Sequence, residues 1–159
     1  MHVERADDGQ LWVGGLTPLH ADTFLRMPAL IESEDSRVRG RLSPEVYDDP
    51  DDQEQWRRHA TPEIEHLFLS RVQILRADLA GMVPEDERCY RMPIAIGHEL
   101  AWLSSLNAAR LALFTLNDLT PQDMERTPDE IEEPERELVL VRIHIMAYLQ
   151  ELLMEQGVT

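Results

Sequence analysis

Lysine is absent from this 159-residue chain, so all 15 of its basic side chains are arginine. No ε-amine is available for Schiff-base chemistry. Each cation is instead planar, permanently charged and able to grip a carboxylate with two N–H groups. Cysteine occurs once, at Cys89, which excludes an intramolecular disulfide. The seven glycines nowhere form Gly-x-x-x-x-Gly-Lys, so a phosphate-cradling loop is missing. Gly-x-Ser-x-Gly is missing too, and the six scattered His single out no Cys–His arrangement. The expectation is a protein that is not an enzyme and holds no cofactor. No apolar run approaches the ~18 residues of a membrane span. The opening His2-Val3-Glu4-Arg5-Ala6-Asp7 is polar, unlike a targeting segment. A cytoplasmic location without membrane attachment is expected from these features.

What is present is acid. The chain carries 31 acidic residues and a formal net charge of −16, which opposes any broad contact with phosphate backbones. Its hydrophobic fraction of 43% is that of an ordinary globular domain. A chain of this length suits one domain, residues 1–159, that buries roughly 70% of its unfolded surface.

The punctuation predicts a mainly α fold: a single-domain helical bundle of four to five helices behind a short N-terminal β-hairpin. Asp8-Gly9 is a two-residue turn signal, so residues 1–15 are read as a hairpin with Arg5 facing Trp12. Thr-Pro recurs at Thr17-Pro18, Thr61-Pro62, Thr120-Pro121 and Thr127-Pro128, each a cap followed by a proline that sacrifices no useful N–H. Thr127 and Glu130 complete a capping box. Helices are expected over 18–33 (bent near Pro28), 51–59, 62–80, 93–116 and 135–156, with residues 35–50 an acidic loop. The segment 93–116 is apolar on most sides and belongs at the centre of the domain. The alternation Leu138 to Ile145 has strand propensity, but Glu135 and Glu137 suit a helical first turn and the apolar spacing beyond Ala147 is helical.

Several constellations invite chemistry. Glu63-Ile64-Glu65-His66 is one Glu-x-x-His where a di-iron bundle needs two. Asp48 to Glu54 is acidic but has Pro50 and no glycine where a calcium loop needs one; it reads as a solvated run feeding a helix start. Arg37, Arg39 and Arg41 form the tightest basic cluster, flanked by Glu32, Glu34 and Asp35, and an internal salt-bridge role is favoured over nucleic acid. Cys89 is the redox candidate, set among Glu85, Asp86 and Glu87 with Arg88 and Arg91 opposing them. In the central helix Gly97, Ser104, Asn107 and Arg110 fall on one stripe. That stripe is either a buried network, a polar-lined pocket or a subunit interface.

Three segments also resemble a bacterial family, domain of unknown function 2017. Arg41 to Asp49 with Trp56-Arg57-Arg58 is similar to its first motif, Leu103 to Leu113 to its central one and Tyr148 to Leu153 to its last. The resemblance implies a cytoplasmic protein of actinobacterial type with no established activity. It marks Arg41, Tyr47, Asp49, Arg57, Asn107, Arg110 and Gln150 as binding or network candidates. The family's central motif usually has an acidic residue where this chain has Ala108, so Arg110 is expected to pair instead with Asp49 or Glu151. Some members look like redox-responsive regulators.

The functional expectation is a non-enzymatic regulatory or adaptor protein acting through protein contacts, with unknown partners and a homodimeric state. The alternative is a redox-responsive transcriptional regulator using Arg37, Arg39 and Arg41 on DNA and Cys89 as sensor.

Overall fold

A computed structural model of the chain describes residues 1–43 and 45–157. In chain order the elements are β1 (His2–Arg5), β2 (Leu11–Leu16), α1 (Pro18–Leu25), α2 (Met27–Ile31), α3 (Ser36–Leu42), α4 (Pro50–His59) and α5 (Thr61–Leu79). They continue with β3 (Val83–Pro84), β4 (Tyr90–Ile94), α6 (Glu99–Leu116), α7 (Pro121–Glu125), a 3-10 turn at Pro128–Glu130 and α8 (Pro134–Glu155). The fold is mainly α, but it is not a pure helical bundle: the strands form a four-stranded antiparallel sheet in the order β1-β2-β4-β3.

The sheet corrects two expectations. The hairpin turn is longer by one residue, because Gly9 sits at φ +92° after a turn closed by the Gly9 N–H on the Ala6 carbonyl. A left-handed third loop residue is the glycine-bulge solution to hairpin closure, and it slips the register by one. Glu4 therefore faces Trp12 and Arg5 faces Leu11. Trp12, half-buried between the inward-facing Leu11 and Val13, loses Arg5 as its cross-strand partner, and the Arg91 guanidinium stacks 4.6 Å from its ring centre instead.

The second correction concerns residues 93–116. Helix α6 begins only at Glu99; Pro93 and Ile94 belong to β4 and pair with Trp12 and Leu11. An apolar run does not by itself distinguish strand from helix. Here the strand wins because Met92 and Ile94 are buried on one face against Leu11, Val13 and Trp102 in the core, while Gly97 at φ +85° turns the chain into the helix. Adding β4 also supplies the support that an isolated two-stranded ribbon lacks.

Gly81 marks the closest approach in this junction. A β-carbon there would lie 2.6 Å from Cγ of Pro93 and 3.2 Å from the Asp78 carbonyl oxygen. The proline ring cannot swing aside, so Gly81→Ala is expected to lose about 1–3 kcal/mol by overpacking. A urea titration of the two proteins reads this directly; an unchanged midpoint would show that the hairpin gives way freely.

Among the helices, residues 36–42 of the expected acidic loop are helical: Asp35 caps α3 by accepting from the Arg37 N–H, and Val38 and Leu42 are buried. The seven-residue segment carries too few apolar positions to show a helical period. Residue 44 of that expected loop lies outside the described residues. The first helix ends sooner than expected and divides at Arg26 into α1 and α2, with Pro28 in the first turn of α2. Thr17 and Thr120 cap as expected and Thr127 joins Glu130 in a capping box. Thr61 does not; it lies within α5, whose preceding residue Ala60 is already helical. Helix α6 packs on α2, α3, α5 and α8, the central position its composition implied. The alternating stretch Leu138–Ile145 is helix, within α8. None of the helices among the described residues is long and apolar enough to cross a membrane.

Candidate functional site

Helix α6 buries Ala101, Trp102, Ser105, Leu106, Ala108, Ala109, Ala112 and Leu113. At 100° per residue these positions occupy roughly half the helix circumference. The opposite arc holds Leu100, Leu103, Ser104, Asn107, Leu111 and Phe114, with Arg110 at its edge, none of them buried. Leu100 is 60% exposed. On the α8 side the arc continues into Met154, which is 62% exposed. The outer side of the central helix is thus leucine-rich and only partly covered: Leu100 is exposed, while Leu103, Leu111 and Phe114 are half-buried against the core.

Two polar tethers cross this arc. From α5, Arg71 donates to Ser104 Oγ and lies 6.0 Å from the Phe68 ring centre. From α6, Arg110 donates to Gln150 Oε1 at 2.7 Å, and the Gln150 amide donates onward to the Leu103 carbonyl at 3.3 Å. Arg110 pairs with neither Asp49 nor Glu151, as had been expected: the carboxamide of Gln150 stands nearer on the facing helix. Its Nε is buried without a partner. Beside it a cavity of about 110 Å³ is lined by Asn107, Leu111, Phe114, Met124 and Ile143. Among the described residues neither Arg71 nor Arg110 meets a carboxylate, whereas the comparably sheltered Arg136 and Arg142 each do. Asn107 itself is exposed, and Gly97 lies in the turn before the helix, so the predicted stripe is split between a surface and two interhelical ties.

The first motif lies elsewhere and shares no hydrogen bond or ion pair with Arg110 among the described residues. Asp49 caps α4 by accepting from the N–H groups of Asp51 and Asp52 at 2.9 and 3.2 Å. Tyr47 packs edge-on against Trp56 with ring centres 6.2 Å apart, and Arg57 pairs with Glu45. Gln53, which sequence reasoning passed over, is the buried anchor of this loop: its Oε1 accepts from both Val46 and Tyr47 N–H at 2.9 Å. Arg41 is exposed at the end of α3. Of its neighbours, Arg37 is held by Asp35 and Asp118, and Arg39 donates to the Glu32 carbonyl. Cys89 is half-buried in the β3–β4 turn, its N–H donating to Asp86 Oδ1 at 2.8 Å. Glu63, Glu65 and His66 are exposed on the first turns of α5, and among the described residues no group of three His, Cys, Asp or Glu side chains could hold a metal ion.

Two carboxylates do structural work that the sequence did not announce. Asp78, only 4% exposed, accepts from Trp102 Nε1 at 2.8 Å, meets His98 Nδ1 at 2.9 and 3.0 Å and receives the Ala95 N–H at 3.4 Å. It fastens the end of α5 to the start of α6. A signal existed, since an aspartate interrupts the apolar stripe Val72, Leu75, Leu79. Asp123 accepts from the Thr120 N–H at 2.8 Å and from Arg136 at 2.7 Å, while Arg136 also donates to the Asn117 and Asp118 carbonyls that end α6. The Thr120 backbone bond first, and Arg136 second, hold the Asp123 carboxyl down at about 2. A depressed carboxylate contributes stability above its unfolded value of 3.8 and loses it as pH falls toward the folded one. Urea midpoints are therefore expected to drop between about pH 4 and pH 2, and Asp123→Asn to flatten that part of the profile. Parallel profiles for the two proteins would count against it.

The family model described as Domain of unknown function (DUF2017) matches residues 4–156, nearly the whole chain, and the protein belongs to that family. No curated protein and no solved structure matches the chain.

Proposed function

We propose that this DUF2017 protein is a non-enzymatic cytoplasmic regulatory or adaptor protein that acts through protein–protein contacts, and that the outer arc of α6 packs against a second copy of the chain. One observation carries the reading: the partly covered side of the central helix is leucine-rich on an otherwise acidic body, with Leu100 exposed and Leu103, Leu111 and Phe114 half-buried beside it. Apolar surface gathered on one face and rimmed by polar groups is what an interface presents.

Charge supports a second copy as the occupant. Among the described residues Arg71 and Arg110 pair with no carboxylate, in a chain with 31 acidic residues. Glu151 and Glu155 are exposed on the adjoining helix α8 and have no ion pair among the described residues. A two-fold interface sets one surface against itself, so each copy's guanidiniums can meet the other's carboxylates. The DNA-binding alternative has less support, because Arg37 and Arg39 are already engaged within the chain.

Light scattering on a size-exclusion column, run up to high micromolar concentration, tests this. A dimer is expected from the native chain and a monomer from Leu100→Glu, whose exposed position spares the fold. A native chain that stays monomeric throughout overturns the proposal.

A further inference from the structure

We propose that the cavity between α1–α2, the end of α6 and the start of α8 binds a small amphipathic carboxylate, an organic acid with an apolar body. The cavity measures about 410 Å³, within the range of small-molecule sites. Leu30, Leu113, Leu116 and Val139 supply apolar walls, and Arg26 and Arg142 stand at one end. This combination, a greasy enclosure with a few convergent polar groups, fixes both affinity and orientation of a ligand.

The polar end has an unbalanced charge. Arg142, its side chain only 11% exposed, donates through Nη1 to Thr23 Oγ1 at 2.9 Å and through Nη2 to Asp22 Oδ2 at 2.6 Å. Arg26 donates to the same Asp22 oxygen through Nε at 2.9 Å. Two guanidiniums, each with five N–H donors, thus share one carboxylate among the described residues. Asp22 is locked as the anion, because the hydrogen bonds from Arg26 and then Arg142 hold its carboxyl below the usual range. One positive charge is left over beside apolar walls, carried by Arg26, whose side chain is 63% exposed.

The chemistry of the occupant follows. A single carboxylate neutralises the surplus charge and can be gripped bidentately by a guanidinium. An inorganic anion would leave the walls wet, and a neutral apolar molecule would leave the surplus charge unmatched. The site is independent of the outer α6 arc: Thr23, Leu30 and Arg142 belong to α1, α2 and α8, and Leu113 is on the buried side of α6.

Calorimetric titration with sodium octanoate tests it, with sodium acetate and octanol as the charged and apolar halves. Octanoate is expected to bind once per chain and to raise the unfolding temperature. Acetate and octanol should each bind at least about tenfold more weakly. Arg26 and Ala29 are exposed, so Arg26→Gln and Ala29→Phe should leave the free protein's unfolding temperature nearly unchanged while weakening octanoate at least about tenfold. Absence of saturable binding, octanol binding as well as octanoate, or retention of full affinity in both variants would each overturn the assignment.

Discussion

Asp78→Ala is expected to cost about 2–4 kcal/mol, because buried donors are left without an acceptor and a turn loses its fastening. The carboxylate lies inside the protein and serves three donors: the Trp102 indole, the His98 ring and the Ala95 N–H. Alanine leaves the Trp102 N–H without an acceptor at a residue that is 0% exposed and packs edge-on against Phe24, 6.3 Å between ring centres. It also releases the turn that leads from β4 into α6. A domain of this size has about 5–15 kcal/mol in all, so the variant gives up a large share of the total. Asp78→Asn keeps an acceptor for the indole and should recover a good part of the loss. Urea unfolding followed by tryptophan fluorescence ranks the three proteins; a loss below about 1 kcal/mol in the alanine variant would mean that the carboxylate pins nothing.

The second large effect is expected on association rather than on folding. Arg110→Met should change stability by no more than about 1 kcal/mol in either direction. The arginine has a neutral partner, Gln150, and a buried Nε with none, so its removal also removes an unsatisfied donor. Methionine fills much of the same volume. On the dimer proposed above, self-association should by contrast weaken by roughly 30-fold or more, because the variant removes one half of the charge pair that the second copy would complete. Sedimentation over a concentration series, with urea unfolding alongside, separates the two roles. Undiminished association would make Arg110 a tie between α6 and α8 and nothing more. Loss of stability comparable to that of Asp78→Ala would say the same.

The contrast between these two residues shows how far the sequence could be read. Arg110 stood out because it broke an apolar helix and sat in a family motif. The same helix was legible as central from its composition. Asp78 broke an apolar stripe in the same way, but its partners, His98 and Trp102, lie 20 and 24 residues further on, and no local pattern ties them to it. Gln53 is a similar case: a polar residue in an acidic helix, whose burial comes only from the loop that folds back over it. The Glu-x-x-His pattern and the acidic run before α4 were visible but stayed on exposed turns.

Local chemistry settled the helix starts. Thr17 and Thr120 cap because a threonine oxygen accepts from the first-turn N–H and the following proline has no N–H to satisfy, whereas the same pair at Thr61-Pro62 lies inside α5 because Ala60 is already helical. The mainly α class, the central helix and the choice of helix for 135–156 followed from periodicity and first-turn acids in the same way. The hairpin register did not, because two- and three-residue turns are both open to Asp8-Gly9; nor did the strand identity of Pro93 and Ile94 and the partner of Arg110, which contacts distant in sequence resolve. So it is with the missing lysine and the excess of acid. Composition determined that every cation would be a rigid two-pronged donor; only the tertiary structure decided that Arg37, Arg57 and Arg136 would be matched by carboxylates while Arg71 and Arg110 would tie helices together through Ser104 and Gln150.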